Sequence, residues 1–82
     1  MLHDEWRGNA MLMRKKIKEA GLEETENEGE LKTIMRQIII CRYIELMTVD
    51  ETLSKLMVDY NIEISIARYY RLLHKAINLL EK

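Results

Sequence analysis

The sequence contains no proline, no phenylalanine and only three glycines among its 82 residues. Because few residues are present to break helices or to form tight hairpins, the composition favours helices joined by short polar turns. Cys41 is the single cysteine, so an intrachain disulfide is excluded, and its position inside an apolar run is typical of a buried thiol. We therefore expect an all-α fold in a reducing, cytoplasmic setting.

Long hydrophobic segments are also missing. The longest strongly apolar run, Ile38 to Cys41, is far too short to cross a bilayer, and the first residues contain no basic region leading into an apolar stretch. These absences argue against both secretion and membrane association. A chain of 82 residues forms one domain near the lower size limit for a self-sufficient core, which favours help from a partner chain.

The first part of the chain is predicted to be a basic helix followed by an acidic linker. In segment 1–21, helical spacing predicts a first helix from about Asn9 to Ala20, with Gly21 in the left-handed position that ends it. Its apolar positions are Trp6, Ala10, Met13, Ile17 and Ala20. Residues 22–30 contain five glutamates and no basic residue, so they repel one another and predict a solvated linker.

Segment 31–47 is predicted to form the central helix, which starts near Gly29 and ends near Met47. Its apolar residues cover nearly the whole circumference, so the helix must be covered on all sides, either as the centre of the domain or in a dimer interface. Because Ile38, Ile39 and Ile40 cannot all face inward in a lone small domain, we predict a homodimer. Two reciprocal capping patterns precede this helix, Thr25-x-x-Glu28 and Asn27-x-x-Glu30.

Segment 48–82 is predicted to form a helix-turn-helix. Thr48, followed three residues later by Glu51, predicts the start of a third helix that runs to about Tyr60 and ends with Asn61 in the left-handed conformation. Ser65 is a suitable N-cap for a fourth helix that continues to the C-terminus. The predicted buried face of the third helix comprises Val49, Leu53, Leu56, Met57 and Tyr60.

The fourth helix has two faces of different chemistry. The predicted buried stripe is Tyr69, Leu72, Leu73, Ala76 and Leu80, and the opposite side carries Arg68, Arg71, Lys75, Asn78 and Lys82, with His74 at its margin. Cations in a last turn complement the helix dipole, but Arg68 lies near the N-terminal end, where a cation is disfavoured. Guanidinium and ammonium groups suit phosphates and guanine edges, so this stripe favours DNA binding over a generic helical hairpin.

The fourth helix also resembles a known family. Ser65-Ile66-Ala67-Arg68-Tyr69-Tyr70-Arg71-Leu72-Leu73-His74-Lys75-Ala76-Ile77 looks like the C-terminal recognition segment of ArpU-type phage transcriptional regulators. Their helix-turn-helix resembles region four of bacterial sigma factors. Tyr69-Tyr70-Arg71-Leu72 and Lys75-Ala76 are the specific part of the match, which covers the last third of the chain, and the chain departs from the family at Ile66, Ala67 and Leu73. The resemblance implies a DNA-binding regulator from a phage or prophage.

These patterns together predict a DNA-binding transcriptional regulator. The residues expected to contact double-stranded DNA are Ser65, Ile66, Ala67, Arg68, Tyr70, Arg71, His74 and Lys75. The alternative is a small helical interaction module whose apolar and methionine-bearing faces bind RNA polymerase or another regulator. Because the sequence shows no nucleophile motif, phosphate-binding loop or metal-ligand spacing, we expect no enzymatic activity, no cofactor and no metal.

Overall fold

The computed structural model describes residues 3–82, which form four α-helices and no strand. The helices are α1 (Ala10–Glu19), α2 (Glu30–Ile39), α3 (Val49–Tyr60) and α4 (Ile66–Leu80), with a short 3₁₀ turn at Asp4–Trp6 before α1 and a π-helical turn at Ile40–Ile44 that continues α2. This confirms the predicted all-α fold. None of the helices within residues 3–82 is both long enough and apolar enough to span a bilayer.

Helix α1 lies close to its predicted position because local signals define both of its ends. The Asn9 side chain accepts a hydrogen bond from the Leu12 amide at 3.2 Å, which satisfies one of the free amides at the helix start. Gly21 has a φ of +76°, the left-handed conformation that glycine adopts without steric cost. Met13 and Ile17 are buried together with Trp6, as their spacing predicts.

Helix α2 is the centre of the domain. Residues 34–39 are all buried, and α2 packs most extensively against α4 and also against α3. Ile38 and Ile39 are completely inaccessible and Ile40 is half-buried within a single chain. Burial of Ile38 and Ile39 within one chain means that this triplet does not by itself require a second chain, and the homodimer stays a prediction.

The helix that continues from α2 changes its hydrogen-bonding pattern before it ends. Over Ile40–Ile44 the backbone forms a π-helical turn, and the Glu45 amide donates to the Ile40 carbonyl at 2.9 Å. Leu46 follows in a left-handed conformation with a φ of +55°, so the helix ends earlier than the predicted Met47. Because a π-turn contains more residues than an α-helical turn, it changes the direction around the helix axis in which the following side chains project. Here Cys41 and Tyr43 are both buried.

The predicted solvated linker is only partly solvated. Glu23, Glu24 and Glu26 are exposed, but Leu22 is buried and the Glu28 carboxylate forms a two-pronged ion pair with Arg36 of α2. The two donor–acceptor distances are 2.8 Å from Arg36 Nη1 to Oε1 and 2.5 Å from Arg36 Nη2 to Oε2. The linker therefore packs on the domain instead of extending from it.

The start of α2 also differs from the two predicted capping patterns. Gly29 occupies the N-cap position and supplies no side-chain hydrogen bond, while Asn27 is left-handed with a φ of +58°. The Glu28 carboxylate accepts a hydrogen bond from the Thr25 amide at 3.0 Å, so half of one predicted pattern forms within the linker. The same carboxylate accepts from the Thr33 hydroxyl, and these bonds hold the linker on the first turns of α2.

Helix α3 begins at the predicted reciprocal cap. The Glu51 amide donates to Thr48 Oγ1 at 3.1 Å, and the Thr48 amide donates to Glu51 Oε1 at 2.8 Å. Asn61 ends the helix at a φ of +55°, as predicted. Two of the residues predicted to be buried, Met57 and Tyr60, are each 39% exposed.

The exposure of Met57 and Tyr60 results from how little of α3 is covered. Leu56 and Thr52, which lie one turn apart, are fully buried, whereas Val49 and Leu53 are only half-buried. Thr52 satisfies its buried hydroxyl by donating to the Thr48 carbonyl at 2.9 Å, which makes a polar residue acceptable in this narrow contact. The core-facing stripe of α3 is therefore narrower than its apolar pattern suggests.

Replacing Thr48 with alanine tests the cap of α3. Loss of the side-chain acceptor for the Glu51 amide should lower the free energy of unfolding by about 1 kcal/mol, measured by denaturant titration. Ser54→Ala is the matched control, because Ser54 is exposed inside the same helix and alanine is a better helix former. Equal stability of Thr48→Ala and the wild type would show that α3 does not depend on this cap.

The ion pair between Glu28 and Arg36 predicts a specific loss of stability in acid. Hydrogen bonds from Arg36 and then Thr33 hold the pKa of Glu28 well below its ordinary value of 4.5. A carboxyl whose pKa is lower in the folded state stabilises that state above the unfolded-state pKa, and the stabilisation disappears as the pH falls toward the folded-state pKa. The free energy of unfolding should therefore decrease as the pH is lowered from about 5.

Glu28→Gln should flatten this pH dependence, since it removes the titrating group, and it should also lower stability at neutral pH. Glu26→Gln is the matched control because Glu26 is an exposed carboxylate of the same linker. Denaturant titrations of the three proteins between pH 3 and pH 7, roughly the range over which carboxyls titrate, give the comparison. An acid profile of Glu28→Gln identical to that of the wild type would contradict the assignment.

Candidate nucleic-acid interface

The start of α4 is defined by Ser65, as predicted. Ser65 adopts an extended conformation with φ −78° and ψ 162°, and its hydroxyl oxygen accepts a hydrogen bond from the Arg68 amide at 3.1 Å. This bond satisfies an amide at the helix start and directs the chain into α4. Ser65, Ile66 and Ala67 consequently lie exposed at the N-terminal end of the helix, where a recognition helix usually meets bases.

One side of α4 is anchored in the core. All five residues of the predicted stripe are buried, together with Ile77, and α4 packs mainly on α2. Tyr69 and Leu73 are completely inaccessible. The orientation of α4 about its own axis is therefore set by the core, and the identity of its outward residues follows from that orientation.

The opposite side of α4 collects most of the predicted DNA-contacting residues on one surface. Seven of the eight are exposed, namely Ser65, Ile66, Ala67, Tyr70, Arg71, His74 and Lys75. Asn78 continues this surface toward the C-terminal end of the helix. We call these eight exposed residues, Ser65, Ile66, Ala67, Tyr70, Arg71, His74, Lys75 and Asn78, the outward face of α4.

The exception is Arg68, which the sequence singled out as the most informative cation. Arg68 is only half-buried, at the border between the core side and the outward face. A partly buried arginine covers apolar neighbours with its aliphatic chain as well as presenting its charge. The prediction that Arg68 lies opposite the buried stripe is therefore wrong, and Arg71 and Lys75 are the well-exposed cations.

The charges of the outward face are available to a ligand. Neither Arg71 nor Lys75 forms an ion pair with any carboxylate in residues 3–82. No acidic residue occurs between Glu63 and Glu81 in the sequence, and the Glu81 carboxylate is hydrogen-bonded to His3 at 2.5 Å. The outward face therefore keeps its positive charge unneutralised.

The adjacent tyrosines lie where their positions on the helix predict. Tyr69 is in the core, and its ring meets that of Tyr70 edge to face with a centroid separation of 5.0 Å. Burial raises the pKa of the Tyr69 hydroxyl, while the nearby Arg42 guanidinium acts in the opposite direction. Tyr70 is 42% exposed, so its hydroxyl end can contact a phosphate or a partner.

Arg42 is a cation near this site that the sequence analysis did not identify. It lies in the π-helical turn, half-buried, with its guanidinium 5.8 Å from the centre of the Tyr43 ring and close to Tyr69. The available signal was its position as the only charged residue between Ile38 and Ile44. A charge in such an apolar run must reach solvent or a polar partner, because leaving it buried alone is costly.

The surface of α3 has the opposite sign to the outward face of α4. Asp50, Glu51 and Asp59 are all exposed on α3, and the connector 61–65 joins the two helices. In a helix-turn-helix the first helix crosses the phosphate backbone while the second enters the groove. Because carboxylates repel phosphates, α3 is not suited to the backbone contact that the first helix of a helix-turn-helix makes.

Other kinds of site find little support in the described residues. Residues 3–82 contain no group of three or more histidine, cysteine, aspartate or glutamate side chains that could hold a metal ion. Cys41 is buried, and that burial raises the pKa of its thiol, which makes it a poor nucleophile. Comparison with known proteins adds no relative, since no protein-family model, no curated protein and no solved structure matches the chain.

Proposed function

We propose that this chain is a DNA-binding transcriptional regulator that reads duplex DNA with the outward face of α4. The observation that carries the proposal is a fully anchored helix whose exposed side presents Arg71 and Lys75 without neutralising carboxylates. The resemblance to ArpU-type regulators agrees with this function and with an origin in a phage or prophage. A cytoplasmic homodimer, with two reading helices on a symmetric site, belongs to the same proposal.

The chemistry of the outward face matches the groups displayed in a major groove. An α-helix with its side chains is about 10–12 Å across, and the major groove is about 12 Å wide, so α4 can lie in it. Arg71 is able to donate two hydrogen bonds to a guanine edge, and Asn78 is able to pair with adenine in the same way. Ala67 suits the methyl group of thymine, while Lys75 suits phosphate.

A protein-interaction module is the second candidate function. It is favoured by two apolar side chains that line one shallow groove on α3, Val58, which is 81% exposed, and Met47, which is half-buried. Exposed apolar residues that lie together frequently mark a protein contact. RNA polymerase or another regulator is the kind of partner that this candidate requires.

Arg71→Ala combined with Lys75→Ala tests the DNA-binding proposal. Both side chains are exposed, so the circular dichroism spectrum and stability should stay close to those of the wild type. Binding to genomic fragments, titrated at two salt concentrations, should weaken by about 1–3 kcal/mol if Arg71 contacts a base. Loss of the Lys75 phosphate contact should reduce the slope of log K against log salt by about 1.

Arg7→Ala is the matched control, because Arg7 is an exposed cation before α1 and outside the outward face. Its DNA affinity should equal that of the wild type. Arg68 is left unchanged in this experiment because its removal would also disturb packing. A folded double variant that binds DNA as tightly as the wild type would falsify the proposal, and the interaction module would become the leading candidate.

A further inference from the structure

The outward side of α3 forms a shallow acidic groove. Met47, Ser54 and Val58 line it together with Asp50, Glu51, Lys55 and Asp59, and its volume is about 440 Å³. Val58 is 81% exposed, and Asp50 and Asp59 lie nine residues, or about two and a half turns, apart on the helix. An apolar centre with a charged rim is the usual anatomy of a protein contact.

The groove keeps its negative charge although one lysine lines it. Lys55 Nζ donates to Glu45 Oε1 at 2.9 Å, so its charge is already compensated by a carboxylate outside the groove. Within residues 3–82, neither Asp50 nor Asp59 forms an ion pair closer than 4.0 Å, and Lys55, which bonds to Glu45, acts on Asp59 only from a longer distance. A ligand of this surface should therefore be basic, with an apolar group at its centre.

The outward side of α1 has these properties. Met11 is 85% exposed, and Arg14, Lys15 and Lys18 follow it at the spacing that keeps all four side chains on one side of a helix. Arg14 lies against a cavity that Glu23 and Glu24 of the linker also line. Lys15 and Lys18 are therefore the cations on this side of α1 that are most accessible to a partner.

We propose that two copies of this chain associate through the outward side of α1 in one copy and the acidic groove of α3 in the other. Met11 contacts Val58, while Lys15 and Lys18 face Asp50 and Asp59 of the second copy. In the proposed assembly a two-fold axis relates the two copies, so that this contact occurs twice and the dimer is closed. Complementary charge fixes the orientation of the two helices, and the apolar centre supplies burial.

A second copy is the occupant that the observations favour because both surfaces belong to this chain. They are opposite in charge, each has one prominent apolar side chain, and the helices have similar lengths of 10 and 12 residues. Neither surface includes a residue of the outward face of α4. The proposal takes the homodimer from the proposed function, but it rests on surfaces other than the one proposed to bind DNA, and it assigns the dimer to helices other than α2.

Light scattering coupled to size-exclusion chromatography gives the first test. At tens of micromolar, roughly the range in which a weak dimer forms, the wild type should have twice the 9.8 kDa mass of the chain. The dimer should dissociate as salt approaches about 1 M, where the screening length falls to about 3 Å. A monomer at every accessible concentration and at low salt would overturn the proposal.

Charge reversal identifies the surfaces. Lys15→Glu with Lys18→Glu should raise the dimer dissociation constant at least about tenfold, and Asp50→Lys with Asp59→Lys should do the same, since each variant brings like charges together. In an equimolar mixture of these two variants, each of the two α1–α3 contacts again joins opposite charges, so a mixed dimer should form. The control, Lys75→Glu with Lys82→Glu, should leave the dimer intact because both lysines lie outside the two surfaces.

Circular dichroism of each variant establishes that the chain is folded. Met11→Ser is a further variant that should weaken the dimer, because it removes the apolar contact without changing the charge. Misfolded variants would not form a dimer when they are mixed, and neither would variants whose surfaces bind a different protein. Folded variants that remain dimeric alone, or that remain monomeric when mixed, would overturn the proposal. Loss of the dimer contact with DNA affinity retained would leave the function proposed for α4 standing.

Discussion

The burial of residues 34–39 of α2 on all sides is the constraint on which the rest of the structure depends. Ile34, Ile38 and Ile39 have no accessible surface; α4 and α3 pack against α2, and α1 packs against the π-helical turn that continues it. Full burial of one large aliphatic side chain is worth about 1.5–3 kcal/mol, so a run of such residues accounts for much of the stability available to a chain of this size. Each remaining helix is amphipathic because only one of its sides packs on the rest of the domain, and its other side stays in solvent.

The Glu28–Arg36 pair extends the influence of α2 to a part of the chain that its composition would leave free. Arg36 is buried, and such a cation needs a partner because an isolated charge is costly to remove from water. Glu28 is that partner, and Arg36 also donates to the Leu22 carbonyl at 3.3 Å. One side chain therefore attaches both ends of the acidic linker to the domain, and this fixes the path of the chain between α1 and α2.

The parts of the fold that were predictable from sequence are those defined by local rules. Thr48, Ser65, Asn61 and Gly21 mark helix ends through hydrogen bonds or backbone conformations that involve only near neighbours, and all four lie where they were predicted. The core stripe of α4 was equally predictable, because the helical spacing of its apolar residues alone separates the buried side of the helix from the exposed side. The exposure of Met57, the partial burial of Arg68, the π-turn and the Glu28–Arg36 pair depend on how helices are placed relative to one another. No pattern within a single segment contains that information.

The division of α4 into two sides has a consequence for how the protein can evolve. The residues that hold the helix on α2 are separate from the exposed residues around Arg71 and Lys75, so substitutions on the exposed side leave the packing of the core unchanged. Exposed helix positions usually tolerate exchange within about 0.5 kcal/mol of stability. Substitutions can therefore accumulate along this single strip of surface while the scaffold is conserved, and lineages of this fold would diverge first, and furthest, there.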